Sequence, residues 1–260
     1  MEFHMRNSRV LRKMREGKVA TCTKLDLSDL RNAEIAAMCG FDCIWVDMEH
    51  IPNDYAFIEN SVRAAKNFDV DVLCRVAKGG YNDLIRPLEA DCAGIMIPHL
   101  MSLEEAKKIV YYTKFHPIGR RPIDGGNADG LYCRLPFKDY IGFMNENRLI
   151  IVQIEDPEPL SELDKICQVP GIDMIFFGPG DFSHAIGHPA EFDHPEVVRA
   201  RKMVVETAHK YGKFAGTVSV PSLAQCYAEG FDYVNCGSDV KSIGDSCAKI
   251  ISSYNDLVKK

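Results

Sequence analysis

Eight short apolar runs recur along the chain, each bounded by polar or glycine-rich turns: Val19–Thr23, Cys43–Val46, Val72–Val76, Gly94–Ile97, Leu149–Ile154, Met174–Phe177, Phe214–Val218 and Tyr233–Cys236. They are near-continuous rather than alternating, as strands buried on both faces are, and such strands belong to parallel sheets. Between them lie segments with helical spacing, at Asn53–Asn67, Ser102–Thr113, Glu158–Val169, Pro195–Tyr211 and Ser222–Glu229. A short echo repeats the same unit: Gly40-Phe41-Asp42, Gly171-Ile172-Asp173 and Gly230-Phe231-Asp232 each stand immediately before an apolar run. This is a helix-ending glycine followed by strand entry.

Eight strand and helix units in 260 residues predict a closed (β/α)8 TIM barrel, for which roughly 250 residues suffice. A doubly wound open sheet is the alternative, but the first strand-to-helix turn, Cys22-Thr23-Lys24-Leu25-Asp26, lacks the glycine-rich dinucleotide fingerprint. No low-complexity linker divides residues 1–260, which read as one domain. The longest interruption, Lys114–Arg148, holds Gly119–Asn127 and then a short helix, and its length predicts a lid or an inter-subunit arm.

Composition narrows the function classes. The charge is −6 from 31 basic and 37 acidic side chains, with no long Lys/Arg cluster, which argues against nucleic-acid binding and for a small-molecule partner. No apolar stretch is long enough to span a membrane, and Met1–Gly17 is too charged for a secretory signal, so a cytoplasmic protein is expected. The ten cysteines are scattered without a C-x-x-C pair and read as buried thiols in a reducing compartment.

In a parallel barrel the carboxyl ends of the strands open on one face, and chemistry gathers there. The polar residues that follow the apolar runs are Asp47, Glu49 and His50; Arg75; His99; Gln153, Glu155 and Asp156; Asp181; and Asp239. Acids outnumber bases. Crowded carboxylates repel and each loses hydration, so they need protons, cationic side chains or a metal, and Arg75 alone does not balance them. A divalent cation on Glu155 and Asp181 resolves the imbalance, and two carboxylates with open positions suit Mg²⁺ or Mn²⁺, with Co²⁺ a further candidate. Gly178-Pro179-Gly180-Asp181 offers backbone amides for a carboxylate or phosphate, and His50, flanked by Asp47 and Glu49, is the natural proton carrier near neutral pH. Together these groups describe enolisation of a 2-oxo acid.

Asp47-Met48-Glu49-His50, Arg75, Val152-Gln153-Ile154-Glu155 and Phe177-Gly178-Pro179-Gly180-Asp181-Phe182-Ser183 resemble, in order and spacing, the motifs of the HpcH/HpaI family of metal-dependent class II pyruvate aldolases. The likeness runs from about Gly17 to near the C-terminus. It implies a (β/α)8 barrel with a C-terminal helix exchanged between the subunits of a homo-oligomer, usually a hexamer. It also implies reversible cleavage of 4-hydroxy-2-oxo acids to pyruvate and an aldehyde through a metal-stabilised pyruvate enolate. Carried over, Glu155 and Asp181 hold the metal, His50 is the acid/base, and Arg75 stabilises the enolate. Gln153 with the Gly180 and Asp181 amides holds pyruvate, and Asp47 joins the catalytic set. Glu89, in Leu88-Glu89-Ala90-Asp91-Cys92, stands where the family has an aspartate that raises the basicity of the histidine, and Arg120-Arg121-Pro122 replaces an Arg-Arg-Gly stretch.

Each residue also has a plainer reading. Glu155 and Asp181 taken singly suit helix N-termini, and His184 and His188, four apart, suit a loop because Gly187 and Pro189 interrupt a helix there. A Schiff-base aldolase using Lys24 or Lys78 is the nearest rival, disfavoured by Asp26 beside Lys24. Oxaloacetate decarboxylation through the same enolate is an alternative activity, and an oligomeric 2-oxo-acid-binding barrel without turnover is the non-enzyme alternative.

Overall fold

A computed structural model describes residues 5–258 of the chain. The strands are β1 (Ala20–Leu25), β2 (Cys43–Asp47), β3 (Asp71–Arg75), β4 (Gly94–Ile97), β5 (Leu149–Ile154), β6 (Met174–Phe177), β7 (Phe214–Val218) and β8 (Tyr233–Ser238). All pair in parallel with their sequence neighbours, and β8 closes on β1, so the TIM barrel expected from the apolar runs is the observed fold. Around it lie α1 (Arg9–Arg15), α2 (Leu30–Met38), α3 (Tyr55–Lys66), α4 (Tyr81–Glu89), α5 (Leu103–Thr113), α6 (Phe137–Asn147), α7 (Leu163–Cys167), α8 (Pro179–Ala185), α9 (Pro195–Lys210), α10 (Leu223–Ala228) and α11 (Asp239–Val258). Among the described residues no helix is long and apolar enough to cross a membrane.

Local chemistry sets the helix limits. Asp54, Ser102 and Ser222 cap α3, α5 and α10 by accepting a backbone N–H from the first turn. The segment predicted as one helix over Glu158–Val169 splits into a 3₁₀ turn, Glu158–Glu162, and α7. α4 escapes periodicity because Pro87 lies within it, yet Asp83 secures its start by accepting the Gly80 N–H at 2.8 Å.

Two apolar layers hold the barrel. The interior is filled by Trp45, Leu73, Met96, Ile151, Phe176 and Tyr233, while alternate strand residues such as Ile44, Val72, Ile150 and Ile175 face the helices. Side chains alternate along a strand, so the pleat that aims Cys22, Leu73 and Ile151 inward also aims Lys24, Arg75 and Gln153 inward, two residues nearer the carboxyl ends. Those three lie at the rim.

The repeated glycine-x-aspartate joints brace the opposite end. Gly40 and Gly230, with φ of 93° and 91°, follow the C-caps of α2 and α10 in the left-handed conformation that ends a helix, whereas Gly171, also at 93°, lies in the turn three residues past the C-cap of α7. Each following aspartate then accepts the N–H of the second residue of the preceding strand in its joint: Asp42 from Thr21 at 2.9 Å, Asp173 from Ile150 at 2.8 Å and Asp232 from Ala215 at 2.8 Å. Each carboxylate also holds a cationic or imidazole partner, Lys13 at 2.6 Å, Lys114 at 2.9 Å and His209 at 2.8 Å. Lys114 is 2% exposed and donates also to the carbonyls of Asn145 and Arg148.

The long segment between α5 and β5 lies at this same end, since α5 runs back from rim to foot. It is ordered by Arg121, whose Nη2 bonds Asp129 Oδ2 at 2.7 Å while its guanidinium stacks 4.8 Å from the Phe115 ring; the Tyr140 hydroxyl donates to the same Asp129 oxygen at 2.7 Å. It therefore does not cover its own barrel's mouth. α11 is unlike the rest of the helical layer: none of its 20 residues is buried, and Ile243, Ile250, Ile251, Tyr254 and Leu257 expose half or more of their surface.

Removing an Asp173 carboxylate strands the buried Lys114 ammonium and an Ile150 N–H together. Asp173→Ala is expected to destabilise the fold by roughly 3–5 kcal/mol, read as a lowered urea midpoint, with the chemistry at the distant rim unchanged in the protein that remains folded.

Candidate active site

Asp47 ends β2 and is in register with Arg75, which ends β3. The Asp47 side chain is fully buried, and such a charge persists only if paired. Arg75 binds it with both arms, Nε to Oδ1 at 2.8 Å and Nη2 to Oδ2 at 2.6 Å. Lys24, from β1, approaches Oδ2 at 2.8 Å and Asp26 Oδ1 at 2.9 Å. Burial alone would raise the Asp47 pKa, but the Arg75 and Lys24 charges hold it down to about 2. The Glu49 N–H adds a 3.1 Å bond to Oδ1, and the Asn53 amide donates to the Asp47 carbonyl at 2.8 Å, which fixes the turn after β2. The Arg75 guanidinium lies 4.9 Å from the Trp45 ring, and its remaining arm, Nη1, stands 2.9 Å from Glu49 Oε2 without the alignment of a hydrogen bond.

Across the mouth, Glu155 follows β5 and is only 1% exposed. Its Oε2 accepts from Gln153 Nε2 at 2.9 Å and its Oε1 from the His99 N–H at 2.8 Å. Burial is the largest influence on it and, with the Asp181 charge, lifts its pKa to about 7 against the opposing pull of His99 and Arg75. Gln153 Oε1 is buried with no partner. Gly178 starts the turn after β6 so close to Glu155 that a Cβ there would sit 2.5 Å from Oε2; only glycine fits. Asp181 lies exposed in the first turn of α8, beside Gly180.

The structure thus brings Asp47, Arg75, Gln153, Glu155, Gly180 and Asp181 to one rim. His50 is there too, but 60% exposed, with Nε2 3.6 Å from Glu49 Oε2. His99 is the residue that sequence reasoning left unassigned. Its Nδ1 lies 2.9 Å from Asp156 Oδ2 and its Nε2 3.7 Å from Glu49 Oε1. Burial disfavours its protonation, yet the bond to Asp156 and the charges of Glu155, Asp156 and Glu49 raise its pKa. Its backbone φ of 48° is left-handed, the strained turn that aims the N–H at Glu155. Its position two residues past the fourth apolar run, Gly94–Ile97, was the available signal. Asn235, two residues beyond the interior Tyr233, was also missed; its Oδ1 is buried and unpartnered.

Glu89, the last residue of α4, lies at the foot of the barrel, since a helix returns there before the next strand begins at Gly94. Burial raises its pKa and its charged surroundings are Arg121, Asp129, Arg86 and Asp124, so within one chain it does not reach His50 at the rim. His184 and His188 are not a helical pair: α8 ends at Ala185, and His188 instead stacks on His194 with ring centroids 3.8 Å apart. Lys24 is engaged by two carboxylates rather than standing free in a desolvated pocket, which removes the main structural support for a Schiff base. Among the described residues no three His, Cys, Asp or Glu side chains form a closed metal cage.

Residues 25–246 match the family described as HpcH/HpaI aldolase/citrate lyase. A 2-keto-3-deoxy-L-rhamnonate aldolase of Escherichia coli is 30% identical over 245 residues, covering 93% of this chain and 91% of the relative. The crystal structure of an HpcH/HpaI aldolase from Desulfitobacterium hafniense DCB-2 superposes with a TM-score of 0.87 at 26% identity, covering 94% of this chain and 95% of that one. Citrate synthase SbnG shares the fold, with a TM-score of 0.88 at 23% identity, covering 98% and 100% of the two chains. With the match spanning most of its length, this chain belongs to the HpcH/HpaI aldolase/citrate lyase family, a family of carbon–carbon lyases.

Proposed function

We propose that the protein is a divalent-metal-dependent aldolase that reversibly cleaves a 4-hydroxy-2-oxo acid into pyruvate and an aldehyde. The observation that carries this reading is the buried Glu155 carboxylate, lifted toward protonation by burial and the Asp181 charge, with Gly178 packed so closely that a side chain there would collide with its Oε2. The donor set fits a hard cation: two carboxylates, with the unpartnered Gln153 oxygen close by. Glu155 and Asp181 would hold Mg²⁺, Mn²⁺ or Co²⁺, and such an ion, when bound, polarises the 2-oxo group of the substrate.

The chain's own residues supply the remainder. The Gly180 and Asp181 amides and Gln153 orient the substrate carboxylate. His50 takes the proton of the 4-hydroxyl as the C3–C4 bond breaks; the bonding pair passes toward C2, and the 4-carbon leaves as the aldehyde. Arg75, held rigid by Asp47, faces the negative charge that develops on the enolate oxygen, and C3 then takes up a proton to give pyruvate. Glu89 would assist His50 only from a second chain. A homo-oligomer is part of this proposal: the apolar residues of α11 have no cover in one chain, and Ile35 and Met38 of α2 with Tyr227 of α10 expose more than half their surfaces on the same barrel's outer layer. A cytoplasmic enzyme acting on small molecules accords with the acidic composition.

An aldehyde screen with pyruvate and Mg²⁺ or Mn²⁺, reading carbon–carbon bond formation, tests the reaction; no product with any aldehyde overturns it. His50→Ala should lose 10²–10⁴-fold of aldol turnover while pyruvate and metal still bind by calorimetry. Glu155→Ala should lose metal binding and activity together, and full activity of that variant after chelation would refute the metal assignment. Glu155 also predicts a pH effect. Its folded-state pKa lies above its unfolded one, so its contribution is fully present below the ordinary carboxylate range and is lost as pH rises through about 7. Chelated protein should therefore lose about 3 kcal/mol of stability over that range, seen as a falling melting temperature that Glu155→Gln flattens and added Mg²⁺ offsets.

A further inference from the structure

The buried Asp47 carboxylate carries two cations, Arg75 and Lys24. Arg75 spends both Nε and Nη2 on Asp47, and its Nη1 lies against Glu49. A guanidinium paired one-to-one with a carboxylate has little net charge left to oppose a developing oxyanion. Lys24 changes that balance, because its ammonium meets the same Asp47 oxygen, Oδ2, from the β1 side at 2.8 Å, with its side chain only 19% exposed. Arg75, Asp47 and Lys24 sum to one positive charge, but Glu49 against Arg75 and Asp26 against Lys24 bring the five groups to one negative charge, so without Lys24 Arg75 would be the single cation among three carboxylates. The placement of Lys24 is built rather than incidental. It shares the inward face of β1 with Cys22 and lies 5.9 Å from the centre of the Trp45 ring. Its second partner, Asp26, is pinned by its backbone: Asp239, at the start of α11, accepts the Asp26 N–H at 2.8 Å and the Leu27 N–H at 3.2 Å.

We propose that Lys24 is a positioning residue for enolisation: by sharing the Asp47 charge it leaves the Arg75 guanidinium cationic toward the enolate oxygen while holding Asp47 in the bidentate geometry. This rests on the pyruvate reading above and assigns to it a residue outside the family motifs. Ground-state pyruvate carries little charge on its 2-oxo oxygen, so Lys24 acts on the rate of proton removal and hardly on binding.

The test follows exchange of the pyruvate methyl protons for deuterium by NMR in D₂O with Mg²⁺, alongside pyruvate binding read from Trp45, the only tryptophan in the chain. Lys24→Met should lower kcat for exchange at least tenfold, with KM and the Trp45-detected Kd within about twofold. Lys24→Arg, which restores the cation, should stay within threefold of wild type. Asp26→Asn leaves Lys24 wholly on Asp47 and should exchange as fast as wild type or faster, and this variant decides the matter should Lys24→Met fail to fold. Equal losses in Lys24→Met and Lys24→Arg, a loss confined to KM, or a tenfold loss in Asp26→Asn would overturn the role. A wild type that exchanges and a Lys24→Met that exchanges equally fast reject Lys24 alone; a wild type that exchanges nothing rejects the pyruvate reading and this inference with it.

Discussion

One carboxylate with no exposed surface organises the rim of this barrel. Asp47 ends its strand directly opposite Arg75, and each would be untenable there without the other, since a buried single charge is expelled or neutralised. Their two parallel bonds orient the guanidinium plane, the plane stacks on Trp45, and Trp45 packs edge-on against Phe176 at 5.7 Å. The chemistry of the mouth is thereby keyed to the packing of the interior.

The opposite side of the mouth has the contrary design. Glu155 is as buried as Asp47 but has amide donors instead of a paired guanidinium. The two carboxylates accordingly separate, one held at about 2 and the other lifted to about 7. Two acids of ordinary kind become a permanent anion and a group open to a proton or a cation, through surroundings alone.

Much of this was legible beforehand. Apolar runs buried on both faces have little alternative to parallel strands, and four of them, Gly94–Ile97, Leu149–Ile154, Met174–Phe177 and Phe214–Val218, coincide with the observed strands to the residue. The rim residues followed from asking what comes after each run. What the chain did not disclose was distance across the barrel. Lys24 meeting Asp47 and His99 meeting Glu155 depend on strand register, which no local pattern encodes. The glycine-x-aspartate echo was visible as a joint, but its bond back to the preceding strand was not.

Those joints divide the molecule's labour. Glycine turns, Asp42, Asp173 and Asp232, and the lysines and histidine they hold are gathered at the foot, a barrel's length from Arg75 and Glu155. Substitutions that retune the rim for a different aldehyde leave the foot's bonds intact, so a lineage built on this frame can wander in specificity without first wandering in foldedness.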